Sequence, residues 1–112
     1  MNNSSTGLSE NVAGALCYAL GWITGLVFLL VEKNSGYVRF HAMQSLMTFG
    51  ILSVAGVVTN FLPGIGALIG SLLGLVGLIL WIFLMVKAWQ GERYKLPWIG
   101  EEAEKQAGRM VL

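Results

Sequence analysis

Charged residues vanish from three stretches of this chain. Val12–Val31 runs 20 residues without one, His41–Leu62 is a second such run entered from Glu32–Phe40, and Ile65–Val86 is a third that ends at Lys87. At about 1.5 Å rise per residue, a 20-residue helix covers roughly 30 Å, one hydrocarbon thickness. Between the second and third runs stands Asn60-Phe-Leu-Pro-Gly64, a turn of the kind that joins antiparallel helices. Nothing alternates with period two, which argues against strands. The pattern predicts an all-α membrane protein, a bundle of three transmembrane helices over about 12–31, 41–62 and 65–86. Residues 1–11 then form an N-terminal tail, 12–87 the transmembrane domain, and 88–112 a short amphipathic or disordered cytoplasmic tail.

Composition strengthens this picture. The 112 residues are 55% hydrophobic and 12% charged, with a mean hydropathy of +0.69; soluble domains carry about 25% charged residues. A net charge of +1 offers no concentrated basic surface for nucleic acid. The lone Cys17 has no partner for an internal disulfide. Gly14-Ala15-Leu16-Cys17 resembles a lipoprotein cleavage box only superficially, because the apolar run follows the cysteine, and Met1–Glu10 lacks the basic start of a signal peptide. The first apolar run is therefore expected to stay in the mature protein.

Charge also predicts a side. With three spans, the Glu32–Phe40 loop and the C-terminal tail share one face, which holds Lys33, Arg39, Lys87, Arg93, Lys95, Lys105 and Arg109, every basic residue of the chain. Lys and Arg near span ends favour the cytoplasm, so the N-terminus is expected outside and the C-terminus inside a cell membrane. Trp89, Tyr94 and Trp98 follow Lys87 as an interfacial belt, and Glu101–Arg109 could form a short amphipathic helix.

Glycine spacing suggests close helix packing. Gly66, Gly70 and Gly74 repeat every fourth residue, and Gly14, Gly21 and Gly25 offer a comparable groove on the first helix. Small-xxx-small faces let helix backbones approach in lipid, here either between the first and third helices or between subunits. The segment Gly64-Ile-Gly66-Ala-Leu-Ile-Gly70 is not a nucleotide fingerprint, since no strand precedes it and Pro63 does.

The second span carries a polar stripe. At about 100° per residue, Gln44, Ser45, Thr48 and Thr59 fall within about 60° of His41, with Arg39 just before it. Polar groups in a bilayer must look at protein or water. They are expected either to bond neighbouring helices, with Arg39 snorkelling to lipid, or to line the lumen of a homo-oligomeric channel or transporter. No metal site is expected, because His41 is the only histidine and no carboxylate lies three or four residues from it. No acid–base pair suggests an enzyme or a cofactor.

Two blocks carry a family resemblance. Val38–Leu46 (VRFHAMQSL) resembles the signature of small membrane proteins similar to the twenty-kilodalton component of the chloroplast inner-envelope import translocon, and Ala88–Lys105 (AWQGERYKLPWIGEEAEK) is similar to the segment closing their prokaryotic members. The resemblance implies a small integral membrane protein; the plastid members belong to a protein-conducting channel, and the prokaryotic relatives have no assigned activity. The expected role is a structural or interaction module, or a subunit of a membrane complex engaged in protein translocation. Its expected partners are lipid and further copies or other membrane proteins, with no nucleic acid.

Overall fold

A computed structural model describes residues 7–109, and among these every regular element is a helix. These are α1 (Glu10–Leu16), α2 (Trp22–Val31), α3 (Gly36–Thr59), α4 (Gly66–Trp89) and α5 (Ile99–Arg109). Residues 1–6 of the expected N-terminal tail and 110–112 of the C-terminal tail lie outside the described residues.

Two helices, α3 and α4, are long and apolar enough to cross a membrane. At 24 residues each they extend about 36 Å. The turn after Thr59 reverses the chain with Gly64 at φ +78°, and α4 returns along α3. Both helices start and end within a few residues of the sequence-based bounds, except that α3 begins at Gly36, five residues before His41. Ser35 explains the earlier start: it is the N-cap, and its hydroxyl accepts the Val38 amide at 3.2 Å.

The first predicted span is corrected by the structure. Val12–Val31 is not one helix; it breaks at Cys17–Gly21 into α1 and α2, of 7 and 10 residues, neither long enough to cross a bilayer. The break turns on Gly21, whose φ of +64° and ψ of −135° lie where a Cβ is not tolerated. Thr24 secures the turn: its hydroxyl oxygen accepts the Leu20 amide at 3.1 Å and its proton faces the Cys17 and Gly21 carbonyls at 3.1 and 3.3 Å.

The two short helices form a hairpin that enters and leaves the bundle at the same end. At the entrance, the Asn11 side-chain amide donates to the Trp89 carbonyl at 3.1 Å, and the Ser35 hydroxyl donates to the Glu10 carboxylate. At the tip, Gly21 meets Phe49, about halfway along α3. On the return, α2 lies against α3 so closely that a Cβ on Gly25 would sit 2.8 Å from the Ala42 carbonyl oxygen and 3.0 Å from the Leu46 nitrogen. The glycine grooves are thus reassigned: Gly25 seats α2 on α3, Gly14 fits beneath Tyr37 and beside Ala88, and Gly66 abuts the Thr59 carbonyl at the turn. Gly70 and Gly74 line an open groove of about 550 Å³ between α3 and α4, rimmed by Trp22 and Trp81. Of the two expected pairings, the one within the chain is loose: Gly21 borders the same open groove as Gly70 and Gly74, and no atom lies within 4 Å of a Cβ at Gly74.

The C-terminal segment folds back as well. After Trp89 an irregular strap, residues 90–98, runs along α3 to Gln44, and α5 then packs on α3 with Ala103 and Ala107 buried. The expected amphipathic helix therefore forms, docked on protein. Three crossings were the premise for placing the N-terminus on the face opposite the basic residues. With Asn11 bonded to Trp89, that premise does not hold.

Candidate functional site

The polar stripe of α3 faces the interior, and its members meet mainly backbone. His41, Gln44 and Ser45 have no exposed surface and Arg39 is nearly buried. A helix satisfies its own N–H and C=O groups, but turns, straps and helix ends do not, and hydrocarbon supplies no water to replace the missing partners. The hairpin turn, the strap and two helix C-termini each bring such groups against α3.

Ser45 serves the turn by donating its hydroxyl to the Gly21 carbonyl at 2.9 Å. His41 and Gln44 serve the strap. Nε2 of His41 lies 3.0 Å from the Glu92 carbonyl, and Nε2 of Gln44 donates to the Tyr94 carbonyl at 2.9 Å while its Oε1 accepts the Leu96 amide at 3.0 Å. The Gln44 amide thus grips two strap residues as a neighbouring strand would.

Tyr18, near the hairpin tip, closes the network. Its hydroxyl lies 2.6 Å from Nδ1 of His41 and accepts Nε2 of Gln44 at 2.9 Å. A carbonyl only accepts, so the bond to Glu92 requires a proton on Nε2 of His41, and Nδ1 of the neutral ring then accepts from Tyr18. Every donor has one acceptor in this arrangement. Tyr18, Tyr37 and Phe40 stack edge-on around the imidazole at 5.5, 4.6 and 5.0 Å between centroids.

Arg39 serves helix ends. Its Nη1 donates to the Glu32 carbonyl at 2.8 Å and approaches that of Leu29 at 3.4 Å, while Nη2 donates to the Ala107 carbonyl at 3.3 Å. These are C-terminal carbonyls of α2 and α5. The expected snorkelling of Arg39 to lipid is therefore corrected: the guanidinium turns inward, because two helix C-termini converge on it. Glu32, fully buried, accepts the Asn34 and Ser35 amides at 3.0 and 3.1 Å and shapes the entry to α3.

Two predicted members stand apart. Thr59 lies at the far end of α3, where its hydroxyl bonds the Gly56 carbonyl at 2.8 Å. Thr48 is buried, and its hydroxyl has no hydrogen-bond partner among the described residues. No group of three or more His, Cys, Asp or Glu suited to a metal occurs among the described residues.

Sequence reasoning missed Tyr18, Tyr37, Glu32 and Thr24. Tyr18 and Thr24 carry hydroxyls inside a charge-free run, and that was a readable signal. The Glu92, Tyr94 and Leu96 contacts are made by backbone and leave no mark on residue type.

A bundle with two membrane-length apolar helices, and with aliphatic side chains exposed along most of α4, defines an integral membrane protein of the all-α class. The chain belongs to the magnetosome magnetite crystal formation protein family (MamF/MmsF), which it matches over residues 6–101. Among its relatives, a UPF0132 membrane protein of Methanocaldococcus jannaschii is 48% identical over 94% of both chains. A UPF0132 membrane protein of Archaeoglobus fulgidus is 50% identical over 90% of this chain and 98% of its own. A second from M. jannaschii is 46% identical over 88% of this chain and 71% of its own. No solved structure matches. These findings correct the resemblance to the chloroplast translocon component: the family is MamF/MmsF. In this chain VRFHAMQSL lies on the helix that carries the stripe, and Ala88–Lys105 spans the end of α4, the strap and the first part of α5.

Proposed function

We propose that this chain is a non-conducting structural and interaction module of a cell membrane, built of two crossing helices and one half-membrane hairpin. The observation that carries this reading is the use of the α3 stripe. Arg39, His41, Gln44 and Ser45 direct their hydrogen bonds at backbone of the same chain, so they hold broken segments at membrane depth and are not free to line a lumen. Backbone outside regular helices is tolerated in a bilayer where protein satisfies it.

In this reading both described ends of the chain lie in the cytoplasm with the basic residues, and the Asn60–Gly64 turn lies outside. The bonds of Asn11 to Trp89 and of Ser35 to Glu10 support the shared side, and Lys87, Arg93 and Lys95 support the cytoplasm. Partners are then lipid and membrane helices.

Two experiments test it. Liposomes containing the purified protein should show ion and solute flux indistinguishable from empty liposomes; conductance abolished by Gln44→Leu would restore a lumen. Alkaline phosphatase fused at Met1 or Leu112 should be inactive and a fluorescent protein at either end bright. An active phosphatase at Met1 alone would restore three crossings.

A further inference from the structure

The inner half of the bundle has two unlike flanks at the same height. α2 and α5 each pack mainly on α3, and their C-termini meet at Arg39. Gly25 touches Ala42, Ser45 and Leu46, and the Leu96 amide bonds Gln44, so Leu26 on one flank and the strap on the other stand level. That level is about 12 Å along α3 from Gly36, since Gln44 comes eight residues later.

The α2 flank is hydrocarbon-like over its whole length, exposing Trp22, Ile23, Leu26, Val27, Leu30 and Val31. The strap flank exposes Arg93, Lys95, Glu101, Glu102, Glu104 and Lys105 over the same rise. A charged side chain in hydrocarbon costs several kcal/mol unless it reaches water or headgroups. Beyond the strap, α3 and α4 continue, accompanied only by the apolar hairpin tip, where Gly21 and Trp22 lie beside Phe49. From Leu46 to Thr59 they offer about 21 Å of apolar length, short of the roughly 30 Å of an average bilayer.

At the innermost point of the strap stands Trp98. It is 89% exposed, and its φ of +63° is the one positive value of a non-glycine residue among those described. A bulky residue there is strained and persists when its surroundings fix it. Leu96 and Gly100, on either side, are buried, so the backbone is pinned and the indole is held outward. Trp is the side chain that settles at the headgroup boundary.

We infer that the cytoplasmic leaflet is indented along the strap flank, with lipid headgroups descending to Trp98, while on the α2 flank hydrocarbon reaches Val31. A chain seated this way thins one leaflet on one side, and bilayers yield to such mismatch at modest cost. The partner of the strap flank is the headgroup layer itself. The inference rests on the membrane seating proposed above.

Depth-dependent quenching tests it on the full chain. Two single-tryptophan proteins are compared, one retaining Trp98 after Trp22→Phe, Trp81→Phe and Trp89→Phe, the other also carrying Leu26→Trp and Trp98→Phe. Each is placed in vesicles of phosphatidylcholine brominated either near the headgroup or deep in the acyl chain. The indentation predicts that Trp98 is quenched at least twofold more by shallow than by deep bromines, while the tryptophan at 26 is quenched more by deep ones. Equal depths for the two would overturn it, and so would a Trp98 quenched by aqueous iodide and by no brominated lipid. If the tryptophan at 26 escapes every brominated lipid, the membrane seating itself fails, which separates that failure from this one.

Discussion

The side-chain amide of Asn11 donates to the backbone carbonyl of Trp89 across 78 positions of sequence, at 3.1 Å. That bond joins the start of the first apolar run to the end of the last membrane helix. A run of 20 residues that returns to where it began is a hairpin, and the polar stripe of α3 follows from it. Once the chain breaks inside a membrane, the freed carbonyls and amides need partners, and Ser45, Gln44, His41 and Arg39 stand where those groups arrive.

Gly25→Val should unseat α2. The added carbons meet the Ala42 carbonyl at 2.8 Å, and backbone cannot move aside as a flexible side chain can. Overpacking of this kind costs about 1–3 kcal/mol. Gly74→Ala is the control, since nothing lies within 4 Å of the new carbon. Thermal unfolding in detergent should fall clearly for the first and stay within a degree or two for the second. Equal behaviour would mean α2 does not lie on α3.

Gln44→Leu should free the strap. It leaves the Leu96 amide and the Tyr94 carbonyl without partners, at about 1–3 kcal/mol for each group that stays buried. Hydrogen exchange at Leu96 should accelerate at least tenfold, and trypsin should cut faster at Arg93 and Lys95. The Lys95–Glu104 and Arg93–Glu104 pairs are half-exposed and worth little, so they will not hold the strap alone. Unchanged exchange at Leu96 would contradict the role given to Gln44.

Tyr18 and His41 should be coupled. Tyr18→Phe removes the donor to Nδ1 of His41 and the acceptor for Gln44, and His41→Ala removes the other half of the first bond. A double-mutant cycle of unfolding free energies should give an interaction of about 1–3 kcal/mol, as for buried residues sharing one network. Additivity would mean that the pair does not act together.

Thr48→Val should be neutral or stabilising. The hydroxyl is buried without a partner, so replacing it with a methyl removes a desolvation cost and no bond. Loss of more than about 1 kcal/mol in the same assay would show that the hydroxyl is bonded.

Much of the fold was legible because α3 and α4 contain the long charge-free runs His41–Thr59 and Gly66–Val86, joined across Pro63-Gly64. The hairpin was not. Val12–Val31 has the length and composition of a span, and only local features mark the break: Gly21 at positive φ, and Thr24 placed to bond Leu20 and Cys17. The stripe could be read from the period of the helix, so His41, Gln44 and Ser45 were found; Arg39 lies on another face and stood out as a charge at the mouth of the apolar run. Their partners could not be, because Gly21, Glu92, Tyr94, Leu96 and Ala107 contribute backbone atoms that any residue would supply. Thr59 shares the helical face but lies too far along α3 to join the network.

The most direct test of the hairpin is the side on which Leu8 lies. In a Cys17→Ala background, single cysteines are introduced as Leu8→Cys, Phe61→Cys and Lys95→Cys, and intact cells and inside-out vesicles are labelled with an impermeant maleimide. The account predicts that the cysteines at 8 and 95 label only in inside-out vesicles, and the one at 61 only in intact cells. A cysteine at 8 that labels together with the one at 61 would contradict it, and would make Val12–Val31 a full span.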